Sequence, residues 1–213
     1  MSKYEVTVDI DKYWVKKYND DKAQLCFSHG VGDNTAQSDA FNVIGGTEVV
    51  AENVIISWED TFSIAGSAQK FDAGTKVESK TEPGKIKFKE RVGLEDNFVL
   101  TPAQPDEKLK EGSFAFDNKI KASAVLYKQV SSGTANNTLQ PAPFYISVNG
   151  PNAPGSSVLT PKAICRLFFA NVFKTGTMVD SYTSEFVDVD LTGKTKATVA
   201  YNEEGHWKVV GVE

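Results

Sequence analysis

Tyr4-Glu5-Val6-Thr7-Val8-Asp9-Ile10-Asp11 decides the fold class: apolar side chains at 4, 6, 8 and 10 alternate with polar ones at 5, 7, 9 and 11. Successive strand residues point to opposite faces, so a period of two marks a half-buried β-strand with one solvated face. Working outward, strand patterns recur at 23–28, 53–58, 85–89, 122–130, 144–148, 163–171, 185–190, 195–201 and 206–212. So many strands with almost no 3.6-residue periodicity predict an all-β protein, an antiparallel β-sandwich. The only helix-like stretch is 106–111, short and charged at its edges.

Three segments, 101–113, 131–143 and 149–161, are rich in Pro, Gly, Ser and Asn and lack alternation, so they read as connections. The first lies near mid-chain. The expected organisation is one extended domain over 1–213, the alternative being two β modules, 1–100 and 113–213, joined by 101–112. A weak likeness between 77–88, with Gly84-Lys85-Ile86-Lys87, and 186–197, with Gly193-Lys194-Thr195-Lys196, leaves two similar halves as an option.

Composition narrows the function classes. A 213-residue chain with 40% hydrophobic and 24% charged residues has the make-up of an ordered globular protein. The net charge is −5 and the lysines are scattered among acids, which argues against a nucleic-acid partner, since a phosphate backbone needs a locally positive surface. No apolar run approaches the roughly 18 residues of a membrane span. The amino terminus enters a strand pattern at once, without an apolar targeting segment, so a cytoplasmic location is expected.

Chemistry-bearing residues are scarce: two histidines, His29 and His206, and two cysteines, Cys26 and Cys165. Both cysteines sit in apolar strand contexts and are expected to be free and buried. His29 is three residues from Cys26, which in a strand places the two on opposite faces. Gly-x-Ser-x-Gly, phosphate-loop and dinucleotide signatures are absent. No catalytic residue, metal ligand or cofactor is assigned. A loose calcium site stays open, because Asp9-Ile10-Asp11, Asp33-Asn34 and Asp96-Asn97 are oxygen-rich without forming an EF-hand.

Asp188-Val189-Asp190 places two carboxylates on one strand face, about 7 Å apart. If Leu191-Thr192-Gly193 closes a hairpin with Gly193 left-handed, Asp190 faces Lys194 and Asp188 faces Lys196, and both acids are neutralised. The aromatic residues point to a ligand. Trp58 runs directly into Glu59 and Asp60, and Trp14 is bracketed by Lys12, Lys16 and Lys17. An indole covering a sugar's C–H face beside carboxylates that take its hydroxyls is a carbohydrate-binding arrangement. The expectation is a soluble, non-enzymatic, lectin-like protein with a glycan partner and a homo-oligomeric state, using Trp58, Glu59, Asp60 and Trp14. The alternatives are a structural, storage or self-assembling protein, and a hydrolase using Asp/Glu pairs.

Overall fold

The computed structural model describes residues 2–134, 138–182 and 184–213. In chain order the elements are β1 (Lys3–Ile10), α1 (Lys12–Asp20), β2 (Gln24–Asp33), β3 (Ile44–Val49), β4 (Asn53–Ser67), β5 (Gly84–Ile86), β6 (Glu90–Leu94) and β7 (Gln104–Pro105). They continue with β8 (Phe114–Asn118), β9 (Ser123–Gly133), β10 (Gln140–Ile146), β11 (Gly155–Ala170), β12 (Phe186–Asp190), β13 (Lys196–Tyr201) and β14 (Trp207–Val212).

Two long strands, β4 of 15 residues and β11 of 16, are the spines of two packed sheets. The first sheet runs β10-β9-β4-β1-β13-β14, with β5 also on β4; the second runs β3-β2-β11-β8-β6-β7, with β12 also on β11. The all-β sandwich is thus present, but its sheets are mixed rather than antiparallel throughout: β1 pairs β13 and β6 pairs β8 in parallel. Alternation reports which face is buried and is blind to strand direction, which only partner choice sets. Four pairings, β1–β13, β4–β9, β2–β11 and β6–β8, join a strand before residue 101 to one after 113.

The interior holds two main apolar clusters along these spines. One gathers Val6, Val8, Leu25, Phe27, Ile56, Trp58, Leu167 and Val199. The other gathers Phe62, Ile64, Leu94, Phe114, Phe116, Leu126, Phe144 and Leu159. Where they meet lie two buried bases, Lys128 and His29. The Lys128 Nζ is 5.6 Å from the Trp58 ring centroid, 5.8 Å from Phe62 and 4.5 Å from Phe144. The His29 ring packs at 4.7 Å from Trp58 and 6.2 Å from Phe144. The same level carries register breaks in both spines, between Glu59 and Phe62 in β4 and between Pro161 and Cys165 in β11.

Several local expectations are corrected. The 106–111 segment is a run of turns: the Asp106 carboxylate accepts from the Lys108 amide at 3.0 Å and from Arg91. The helix lies instead at α1, where Asp11 caps the first turn by accepting from the Tyr13 amide at 2.9 Å. Trp14, Val15 and Tyr18 turn toward the first cluster, while Lys16 pairs with Asp20 on the exposed side. The stripe is too short for periodicity to reveal. Segment 149–161 is half strand, because β11 begins at Gly155. The middle of 131–143, residues 135–137, lies outside the described residues.

The Asp–Lys ladder does not form. Gly193 is left-handed at φ +72, but its turn carries the chain from one sheet to the other: β12 pairs β11 while β13 pairs β1 and β14. Leu191 is fully buried and its amide donates to the Ala163 carbonyl at 2.8 Å, which anchors that crossing. Asp188 forms a two-bond pair with Arg166, at 2.7 and 2.8 Å, and Asp190 caps the Thr192 amide at 2.8 Å. Segments 77–88 and 186–197 therefore share no structure: Gly84 opens a strand where Gly193 makes a turn. Cys26 and Cys165 are free and buried, and burial pushes both thiols up to about 12.

Candidate functional site

Trp58 is a core residue, 1% exposed, stacked on Tyr4 at 5.3 Å and wedged against His29. An indole so enclosed presents no face to a sugar, which corrects its expected rim position. The reason is register: Trp58 pairs with Tyr4 of β1 and Val130 of β9, so its side chain enters the sandwich. Glu59 alternates outward. Asp60 accepts a hydrogen bond from the Tyr4 hydroxyl at 3.0 Å, and burial raises its carboxyl above the usual range. Trp14 is half-buried: its Nε1 donates to the Glu203 carbonyl at 3.1 Å and Lys17 covers its ring at 4.7 Å. Trp58, Asp60 and Trp14 have structural partners, Glu59 is half-buried, and the four do not assemble into one site.

The Asp pairs are likewise engaged. Asp9 accepts from Asn53 at 2.8 Å, and Asp33 accepts from Thr35 at 2.8 Å and from the buried Tyr145 hydroxyl. Among the described residues, no group of three or more His, Cys, Asp or Glu side chains is placed to hold a metal ion. Among the described residues, no helix is long and apolar enough to cross a membrane.

A cleft does form on the loop after β2. Asp33 starts a turn in which the Ala36 amide donates to its carbonyl at 2.9 Å, and a bridge between Val31 and Ala40 folds the loop back over its own strand. Glycine permits that approach: a Cβ on Gly30 would lie 2.9 Å from the Phe41 ring, and one on Gly32 would lie 3.0 Å from the Asp39 carboxylate. The folded loop, the segment around Tyr182 and the turn at Val148-Asn149 enclose an open cleft of about 540 Å³.

Three aromatic residues from distant parts of the chain, Phe41, Phe71 and Tyr182, line it. Tyr182 donates its hydroxyl to the Phe41 carbonyl, and burial pushes its phenol pKa up, so it stays a neutral donor. The Arg166 guanidinium stacks 4.1 Å from the Phe41 ring and 4.0 Å from Phe186, and Asp188 neutralises it in a fixed plane. This stack stiffens one wall.

At the floor, Asn42 is 6% exposed. Its Nδ2 donates to the Ile146 carbonyl at 2.6 Å, which fixes the amide orientation because the Oδ1 end of the amide carries no hydrogen to donate. That leaves Asn42 Oδ1 buried and, among the described residues, without a hydrogen-bond partner. Asp39, Asp180 and Asn149 stand exposed at the rim, with the Asn149 amide donating to the Thr35 carbonyl at 3.1 Å.

Sequence reasoning missed this cleft because its aromatic residues share no spacing. The one available signal was the Asx-rich run from Asp33 to Asn42, which holds the aromatic Phe41 near its end. Comparison with protein-family models, with curated proteins and with solved structures finds no match to this chain.

Proposed function

We propose that the protein is a non-enzymatic, lectin-like carbohydrate-binding protein and that its ligand occupies the cleft on the loop after β2. The observation that carries this reading is the convergence of three aromatic residues from distant parts of the chain, Phe41, Phe71 and Tyr182, on one open cleft of about 540 Å³. A sugar brings an apolar C–H face for the rings together with hydroxyls for the polar groups around them. Exposed Asp180 and Asn149 supply further partners for hydroxyls at the rim. The volume falls within the range of roughly 300–1,000 Å³ of small-ligand sites.

A glycan array run with calcium and with a chelator tests the proposal, followed by titration of the best ligand against Asp180→Asn and Asn149→Ala. Each rim substitution is expected to weaken binding about fivefold, the cost of roughly one hydrogen bond, Asp180→Asn without changing the melting temperature and Asn149→Ala with a small decrease from its lost bond to the Thr35 carbonyl. A protein that binds no glycan, or whose bound glycan ignores both substitutions, does not use this cleft for sugars.

One observation favours self-assembly as a second reading. β14 ends its sheet with Val209 39% exposed and Val210 59% exposed, an apolar edge of the kind that pairs with another chain. Size-exclusion chromatography with light scattering over a concentration series distinguishes a monomer from an assembling protein.

A further inference from the structure

A second cleft, of about 510 Å³, lies on the other side of the same loop. Residues 36–39 line both clefts, so the loop is a ridge between two adjoining grooves. Their chemistries differ. The first offers aromatic faces and the carboxylates of Asp39 and Asp180, and its one arginine is already paired with Asp188. The second is lined by three lysines, Lys108, Lys110 and Lys162, against two acids, Asp33 and Asp39.

The acids around the second groove are already committed. Asp33 accepts from Tyr145 and Thr35, Asp106 from Arg91, and Glu107 and Glu111 lie 2.7 and 3.5 Å from Lys89. Lys162 has Asp39 at 3.6 Å, a loose pair. Among the described residues, neither Lys108 nor Lys110 has an ion-pair partner, and both are exposed. On a chain of net charge −5, this groove is a local cationic surface with unused donors.

We infer that one acidic oligosaccharide lies across the ridge, an uncharged unit against the aromatic cleft and a carboxylate- or sulfate-bearing unit over Lys108, Lys110 and Lys162. The inference rests on the carbohydrate reading above and adds the ligand's charge and polarity. Asp39 borders both clefts and is shared with Lys162, so the difference rests on the other charges: an anionic unit is disfavoured in the first cleft by Asp180 and favoured in the second by Lys108 and Lys110, and the ligand binds in one direction. The lysines are exposed, so their contribution is screened by salt within about 8 Å at physiological ionic strength.

The test is a matched set of neutral, uronic and sulfated oligosaccharides titrated at low and high salt against the wild-type protein and the Lys108→Gln/Lys110→Gln double variant. Acidic members are expected to bind about tenfold tighter than neutral ones at low salt, an advantage that shrinks as salt rises. The double variant is expected to keep its melting temperature and its affinity for neutral members and to lose the preference. Equal binding of neutral and acidic members by wild-type protein, or a preference that survives the double substitution, overturns this inference and leaves the carbohydrate reading standing. Failure to bind any member of either kind overturns both.

Discussion

Lys128 carries an ammonium into the sandwich, 2% exposed, against the rings of Trp58, Phe62 and Phe144, and among the described residues it forms no ion pair. Burial pushes its pKa down to about 8, partly offset by the charge of Asp60. The unfolded chain therefore holds a proton at this position between about pH 8 and 10.5 that the folded one has lost, and stability rises with pH through that window. Below it the folded state bears the full penalty, roughly 3 kcal/mol. Lys128→Met keeps the volume and the ring contacts, so at pH 7 it is expected to stabilise the protein by about 1–3 kcal/mol and to remove the alkaline rise. Urea unfolding at a series of pH values reads both effects; a less stable Met variant with the rise intact refutes the account. His29 acts in the same direction at lower pH. Among the described residues both its ring nitrogens are unpartnered, the nearby Ile164 carbonyl falling short of hydrogen-bond geometry, and burial holds its pKa well below 6.5. Stability should fall as pH drops below about 6.5, and His29→Leu should flatten that limb. Neither base was legible as buried: each sits singly in its strand, and a lone polar residue in an apolar run reads as the solvated side.

At the scale of elements, alternation found most of the strands because each buries one face, yet partners and direction stayed hidden. The Asp188–Lys196 ladder failed for this reason. Neighbours in sequence usually pair, but the buried Leu191 turn sends β12 and β13 to different sheets. α1 shows the complementary loss. Its lysines made Trp14 look like a surface aromatic, when Lys16 and Lys17 are the outer face of a helix whose inner face docks by Tyr18–Tyr201 hydroxyl contact at 3.0 Å and by Asn19 Nδ2 on the Val50 carbonyl at 2.8 Å. The cap was in plain view, since Asp11 precedes the aromatic pair. Asp11→Ala is expected to cost about 1 kcal/mol, measured as a lowered denaturation midpoint with an unchanged slope. No change in midpoint means that docking alone holds the helix. The ligand cleft was the least legible part, because Phe41, Phe71 and Tyr182 are brought together only by the Val31–Ala40 fold-back and by contacts between distant loops.

Across the whole molecule, two apolar clusters flank a polar level at Lys128 and His29, and both spines lose regular pairing there. That division runs across the sandwich, not along the chain. Strands from before residue 101 and after 113 contribute to both clusters: Val6, Leu25, Leu167 and Val199 share one, Ile64, Leu94, Leu126 and Leu159 the other. Cutting at 101–112 removes the β1–β13, β2–β11, β4–β9 and β6–β8 pairings together. A 1–100 fragment keeps β1–β4–β5 in one sheet and β2–β3 in the other, and leaves β6 without β8. Trp58, Phe27 and Ile64 are then open to water on their former contact faces. Burial of such side chains contributes roughly 1.5–3 kcal/mol each, so a fragment missing half of every core contact has no route to net stability. Separately produced 1–100 and 113–213 are expected to lack a cooperative thermal transition and dispersed amide resonances, while the intact chain unfolds in one. A dispersed spectrum from either fragment alone would show two β modules joined by a linker and overturn the single-domain proposal.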